Sequence, residues 1–233
     1  MGCSIQVGIS LTHNAITMTL KAIFLNCTLK KSSETSNTDA IIQKTVQLYA
    51  ERGVNSKVIR IVDYQVAFGV TSDEGEGDDW PLILAEIKDA DILIIASPIW
   101  LGDKSAVCKM VIERIDGSTS EEDPGNGQPP LYNKVGAVLV TGNEDGAKKV
   151  CADVLFSLNH SGCTIPPNAM AYWVGDAGPG PSYIEAGGDK HLFTNKNIRS
   201  LVADTTYLAQ LVKNNPIPTN LKHIAEEAKK ESR

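Results

Sequence analysis

The sequence predicts an α/β domain in which a five-stranded parallel sheet is covered by helices on both faces. Three observations carry this expectation. Ile92-Leu93-Ile94-Ile95-Ala96 is an unbroken apolar run that stops at Ser97-Pro98, the pattern of a strand buried on both faces of a parallel sheet. Strand and helix patterns then alternate about five times, which implies right-handed crossovers and three layers. The 233 residues, 42% hydrophobic and 21% charged, suit one globular domain of that size.

The elements follow in order. Lys21–Asn26 is the first strand, and Cys27–Asn37 a polar loop. Thr38–Arg52 is helical, with Ile42, Val46 and Tyr49 on one stripe and Gly53 as its stop. Ser56–Val62 is the second strand, and Asp63–Asp79 an acidic, Gly-rich loop that reads as solvated. Trp80–Asp89 is a short helix with Pro81 in its first turn. After the Ile92–Ala96 strand, a helix from Ser105 to Ile115 repeats Val107, Val111 and Ile115 along one face and ends near Gly117.

Ser118–Asn133 is rich in Gly, Pro and acid and reads as an insertion loop. Lys134–Val140 is the fourth strand. Asp145–His160 is a helix with Val150, Val154 and Leu158 in register, and Ala169–Trp173 the fifth strand. A Gly/Pro loop, 175–188, leads to a last helix, Asn195–Val212, which Pro216 and Pro218 terminate. Residues 1–20 read as a disordered leader, 21–214 as the domain and 215–233 as a polar tail. Loops of this length inside a domain are commonly functional.

The net charge of −6 argues against nucleic acid as a partner, because phosphate backbones select Lys and Arg surfaces. No apolar stretch approaches the roughly 18 to 20 residues of a membrane span. Cys3, Cys27, Cys108, Cys151 and Cys163 are scattered, with no C-x-x-C. Reduced thiols and a cytoplasmic location are therefore expected, with neither a disulfide framework nor a metal site.

Three strand-to-helix loops should share the carboxyl edge of the sheet, where ligands bind in open α/β folds. The first, from Asn26 to Thr38, is dense in hydroxyls and runs into a helix N-terminus, which suits a phosphate monoester or simply a helix cap. The second, from Ser97 to Lys104, carries Trp100, a planar face for a heterocycle. The third, Thr141-Gly142-Asn143-Glu144-Asp145-Gly146, has small residues that let backbone N–H groups approach a ligand. No G-x-G-x-x-G follows the first strand, which weighs against a dinucleotide-binding domain. Gly142–Lys148 is one residue short of an NTPase phosphate loop and lacks its Ser or Thr.

Together these loops resemble those of the flavodoxin-like NAD(P)H-dependent FMN reductases, a superfamily that includes NAD(P)H:quinone reductases. Asn26-Cys27-Thr28-Leu29-Lys30 and Ser36-Asn37-Thr38 stand where that family has Asn-Gly-Ser-Pro-Arg and Asn-Thr. Ser97-Pro98-Ile99-Trp100-Leu101-Gly102, Ser105, Lys109 and Glu113-Arg114 match its second loop, and Thr141-Gly142-Asn143 its third. The likeness spans Lys21 to Val174.

The resemblance implies a flavodoxin-like three-layer sandwich that binds FMN noncovalently. It implies hydride transfer from NADH or NADPH through the flavin to a quinone or other small acceptor, in a homodimer or higher homo-oligomer. Thr28, Lys30, Ser36, Asn37 and Thr38 would hold the phosphate. Pro98, Ile99, Trp100, Leu101 and Gly102 would line the isoalloxazine, and Thr141, Gly142, Asn143 and Gly146 would meet its pyrimidine side. Three departures stand out: Cys27 replaces a glycine, the phosphate loop is longer and contains Glu34, and Leu101 replaces an aromatic.

Other residues are open to two readings. Cys27 is redox-active or a packing residue. His191, beside Tyr183 and Phe193 in sequence, is suited to proton donation. Tyr172-Trp173 wall the site or fill the core. The same fold also serves flavodoxin-type electron carriers and non-enzymatic flavin-binding modules.

Overall fold

The computed structural model describes residues 19–176, 178 and 180–232. Residues 1–18, most of the expected leader and including Cys3 and His13, lie outside the described residues. The elements are β1 (Lys21–Asn26), α1 (Asn37–Ala50), β2 (Asn55–Arg60), α2 (Trp80–Asp89), β3 (Ile92–Trp100) and β4 (Asp103–Lys104). They continue with α3 (Ala106–Gly117), β5 (Val135–Gly142), α4 (Ala147–His160), β6 (Met170–Val174), α5 (Leu192–Asn214) and α6 (Leu221–Glu231).

The sheet order is β2-β1-β3-β5-β6, with every neighbouring pair parallel. Leaving β4 aside, this is the flavodoxin-like order, whose ligand crevice opens where the winding reverses beside β1 and β3. A sixth strand was not expected: β4 is a two-residue strand paired antiparallel to the end of β3.

Alternation along the strands divides the core. Ile23, Leu25, Leu93, Ile95, Val138 and Val140 face α2, α3 and α4 together with Trp80, Ile83, Val111 and Val154. Ala22, Phe24, Ile92, Ile94 and Leu139 face α1 and α5 together with Ile41, Ile42, Tyr49, Ile198 and Leu201. Each sheet face thus buries a helical layer, which is the main apolar driving force for this fold.

β3 continues past the proline that was expected to end it. On the β1 side its pairing stops at Ala96; on the β5 side it runs on to Pro98 opposite Thr141. Pro98 therefore lacks its N–H at a place where no strand lies on one side, the kind of position a strand proline tolerates. That one-sided stretch opens the crevice.

Two expected loops are more ordered than read. The acidic 63–79 loop wraps around the fully buried Arg114. Arg114 Nη1 donates to the Ala67 carbonyl, Nε to the Thr71 carbonyl and Nη2 to Asp78 at 2.7 Å, while the Trp80 ring lies 5.5 Å away. Asp78, in the tract read as solvated, has a side chain only 1% exposed. The C-terminal tail contains α6, none of whose residues is buried. Gln128 Nε2 donates to the Ile217 and Thr219 carbonyls, so the insertion loop and the tail hold each other.

Candidate functional site

A cleft of about 210 Å³ lies at the carboxyl ends of β1, β3 and β5. Its first wall is the loop before α1. Ser36 caps that helix: its Oγ accepts the Asp39 N–H and donates to Thr28 Oγ1 at 3.0 Å. Thr38 Oγ1 lies 3.1 Å from Thr141 Oγ1, tying the first loop to the third. Thr28, Lys30, Ser36, Asn37 and Thr38 all line the cleft. The N–H groups of Asn37 and Thr38, in the first turn, have no acceptor within the helix, so this end is electropositive and donor-rich.

The extra residues of the loop fold outward. Arg60 Nη1 donates to the Lys31 and Glu34 carbonyls, and Glu34 Oε1 accepts the Lys31 N–H. The Glu34 carboxylate is thereby engaged within its own turn. Cys27 continues β1 inward. Its N–H donates to the Ala96 carbonyl, its own carbonyl accepts Ser105 Oγ, and its side chain is fully buried. Burial, followed by the neighbouring Cys108, pushes its thiol well above the usual range. Cys27 is a packing residue; the redox alternative fails because thiolate chemistry needs an accessible, low-pKa sulfur.

Pro98, Ile99 and Trp100 form the second wall, and Trp100 is 55% exposed. Leu101 and Gly102, expected beside them, do not line the cleft. They are the two turn residues of the β3–β4 hairpin, at φ 52° and 73°, and the turn carries them past the mouth. From the third loop, Thr141, Gly142, Asn143 and Glu144 line the cleft. Gly146 does not. A Cβ there would sit 2.5 Å from the Gly102 carbonyl oxygen, so Gly146 is needed for close backbone packing against the hairpin.

The remaining wall comes from Trp173, Ser182 and Tyr183. Asn37 Oδ1 accepts the Ile184 N–H at 2.9 Å. Asn143 Nδ2 donates to the Gly180 carbonyl at 3.1 Å, and the Gly178 N–H donates to the Asn143 carbonyl. Both asparagines thus hold the returning chain over the cleft. Tyr183 packs edge-on to Trp173, with ring centroids 5.6 Å apart. Its buried hydroxyl has no hydrogen-bond partner among the described residues, and burial, with Asp189 nearby, pushes the phenol up to about 12.

His191 is not in the lining. Its Nδ1 is 2.9 Å from Thr194 Oγ1, and that hydroxyl donates to the Tyr172 carbonyl. The ring is tied to the start of α5, so a proton-donor role is not supported. Tyr172 meets Phe193 edge-on, so of the Tyr172-Trp173 pair it is Trp173 that lines the cleft. Leu29, Glu144 and Ser182 also line the cleft although none was an expected contact residue; Leu29 and Glu144 lie inside the expected loops, whereas Ser182 carried no signal.

Residues 20–176 match the protein family described as NADPH-dependent FMN reductase. The chain is 42% identical over 224 residues to the 8-demethyl-8-aminoriboflavin-5'-phosphate synthase of Streptomyces davaonensis, covering 92% of this chain and 87% of that protein. The solved structure of RosB with the bound intermediate OHC-RP (8-demethyl-8-formylriboflavin-5'-phosphate) superposes with a TM-score of 0.84 at 40% identity, covering 92% of this chain and 88% of that one. The flavodoxin of Streptococcus pneumonia TIGR4 superposes with a TM-score of 0.50 at 13% identity, covering 82% and 99%, a likeness of fold alone. No helix among the described residues is long and apolar enough to cross a membrane.

Proposed function

The chain belongs to the family of NADPH-dependent FMN reductases, and from that membership we propose that residues 21–214 bind FMN in the cleft and act as an oxidoreductase. The reaction passes two electrons from NADH or NADPH to a quinone or another small acceptor, in the cytoplasm, within a homodimer or higher homo-oligomer. The net reaction converts NAD(P)H, a proton and a quinone to NAD(P)⁺ and a hydroquinone.

One observation carries this reading. A hydroxyl-lined helix N-terminus and an exposed aromatic plane, Trp100, share one cleft. FMN has the matching parts, a phosphate and a planar ring. Thr28, Ser36 and Thr38 supply hydroxyls, Asn37 and Thr38 supply N–H groups, and Lys30 supplies positive charge for the phosphate. Pro98, Ile99 and Trp100 shield one side of the ring, and the backbone of 141–143 meets its polar edge. The Tyr183 hydroxyl adds a polar group that is unpaired among the described residues. When bound, the flavin supplies the hydride chemistry, and the chain orients it.

A second reading treats FMN as the reactant rather than the tool. It is supported by the 42% identity, across 92% of this chain, to a protein named for making a riboflavin-5'-phosphate derivative. One experiment separates the two. The FMN-loaded protein is treated anaerobically with NADPH or NADH, its absorbance is followed, and the flavin is extracted and weighed by mass spectrometry. Bleaching with unchanged flavin mass supports the reductase. A changed flavin mass supports the second reading. Bleaching with neither donor favours an electron carrier, and a protein that cannot be loaded with FMN overturns the proposal.

A further inference from the structure

The loop before α1 is held from outside the cleft by one cation. Arg60 ends β2, directly opposite Asn26 at the end of β1, and it is not part of the cleft lining. Its side chain is only 11% exposed. Nη1 donates to the Lys31 carbonyl at 2.7 Å and to the Glu34 carbonyl at 3.1 Å, while Nη2 lies 3.2 Å from Asp39 Oδ1. One planar fork thus fastens the outward turn of the loop to the first turn of α1. Ser32, in the same turn, donates its N–H and its hydroxyl to Asp63, just past β2.

Asp39 is where that fork meets the cleft. Its Oδ1 also accepts Asn26 Nδ2 at 3.1 Å, and Asn26 Oδ1 accepts the Thr28 N–H at 3.1 Å. Thr28 Oγ1 in turn accepts Ser36 Oγ, the cap of α1. Arg60 therefore reaches the cleft hydroxyls through Asp39 and Asn26. Asp39 is also the acidic residue in the first turn of α1. A carboxylate there uses the helix end that an anionic ligand needs, and it repels that ligand. Arg60 places the opposite charge against it and offsets the repulsion.

We propose that Arg60 is a positioning residue for the flavin phosphate: its fork holds the 28–36 loop in the binding shape, and its charge offsets Asp39. This rests on the reading that FMN binds in the cleft with its phosphate at the start of α1. A loop ordered before the ligand arrives removes the ordering cost from binding. Riboflavin has the same ring and no phosphate, so it makes no use of this end of the cleft. Arg60 therefore acts on the preference for FMN over riboflavin, without touching either.

The test uses equilibrium binding, so it does not depend on turnover. The full chain, freed of flavin, is titrated with FMN and with riboflavin, following flavin fluorescence. Wild type is compared with Arg60→Gln, Arg60→Lys and the double variant Arg60→Gln with Asp39→Asn. Arg60→Gln is expected to weaken FMN about tenfold while riboflavin changes less than about twofold. Lysine keeps the charge but not the fork, so Arg60→Lys should recover only part of that loss. Asparagine at 39 still accepts Asn26 Nδ2 and carries no charge. Adding Asp39→Asn to Arg60→Gln should therefore restore FMN affinity about threefold.

Equal losses of FMN and riboflavin in both single variants overturn the proposal, because that pattern belongs to a residue that only keeps the fold. So does full recovery by lysine, or a double variant that binds FMN no better than Arg60→Gln. A wild type that prefers FMN, with Arg60→Gln keeping the whole preference, sinks the proposal and leaves the cleft reading standing. A wild type that binds riboflavin as tightly as FMN sinks both, since the phosphate then lies elsewhere.

Discussion

The side-chain oxygen of Asn37 accepts the backbone N–H of Ile184 at 2.9 Å, across 147 residues of sequence. Asn37 opens α1, the helix whose N-terminus faces the cleft, and Ile184 follows Tyr183 in the chain that returns over it. The same residue that begins the electropositive helix end therefore also holds the cover. Replacing Asn37 with Ala should remove one hydrogen bond, worth about 1 kcal/mol. The expected result is about fivefold faster amide exchange at Ile184 and faster FMN release, measured by hydrogen exchange and stopped-flow fluorescence. Unaltered exchange at Ile184 would show that other contacts hold the cover.

Thr38→Ala should separate phosphate from ring. It removes a buried hydroxyl at the helix N-terminus and its contact with Thr141. Hydrogen bonds to charged groups contribute about 1.5–3 kcal/mol, so FMN affinity should fall about tenfold or more while riboflavin affinity changes little. Equal losses for both ligands would place the phosphate elsewhere.

Trp100→Ala should give the complementary pattern. An aromatic stacking partner contributes about 0.5–1.5 kcal/mol beyond its area. FMN and riboflavin should therefore weaken by the same factor, about three- to tenfold, in fluorescence titrations. Unchanged affinity for both would remove Trp100 from the ring site.

Arg114→Ala should destabilise the protein by about 3–5 kcal/mol, because it leaves Asp78 buried without its cation. Burial pushes the Asp78 carboxyl up, but Arg114 and the N–H groups of Glu74, Ala67 and Trp80 outweigh it and hold the group at about 2. A carboxyl depressed in the folded state contributes stability above its ordinary value of 3.8 and loses it as pH falls towards about 2. Urea melts from pH 5 to 2 should show this loss in the wild type and a weaker slope in the variant.

Alkali should destabilise the fold through its thiols. Burial pushes Cys151 and Cys163 from 9.0 to about 12. Between those values the unfolded chain releases protons that the folded chain retains, so stability falls as pH rises. Each thiol contributes a decline of about 1.4 kcal/mol per pH unit. Replacing either with Ala should flatten chemical-denaturation midpoints between pH 9 and 11. A slope identical to that of the wild type would assign the alkaline loss to other groups.

That Thr28, Ser36 and Thr38 gather at one helix N-terminus and line the cleft was readable in the sequence, because hydroxyls before an amphipathic helix are a local signal. Leu101, Gly102 and Gly146 were misplaced for one reason. Pro98 looks like a strand end, but pairing with β5 carries β3 on to Pro98, and pairing with β4 carries it to Trp100. The hairpin turn then follows, and Gly146 becomes the residue packed against it. His191 looked available from its place near Tyr183 and Phe193 in the sequence, but its ring is tied to Thr194, which is itself fixed by the carbonyl of Tyr172, a residue of another element.

Periodicity by itself determined the alternating elements, the two-faced core and the sheet edge that carries the cleft, because burial on a strand or helix repeats with local geometry. Only the tertiary structure decided that Asn37 and Asn143 hold the returning chain, that Arg114 organises an acidic loop, and that Leu101 stands outside the cleft. Those outcomes depend on which groups compete for each donor and acceptor once distant segments meet. That competition is set by long-range packing, and no local pattern in the chain encodes it.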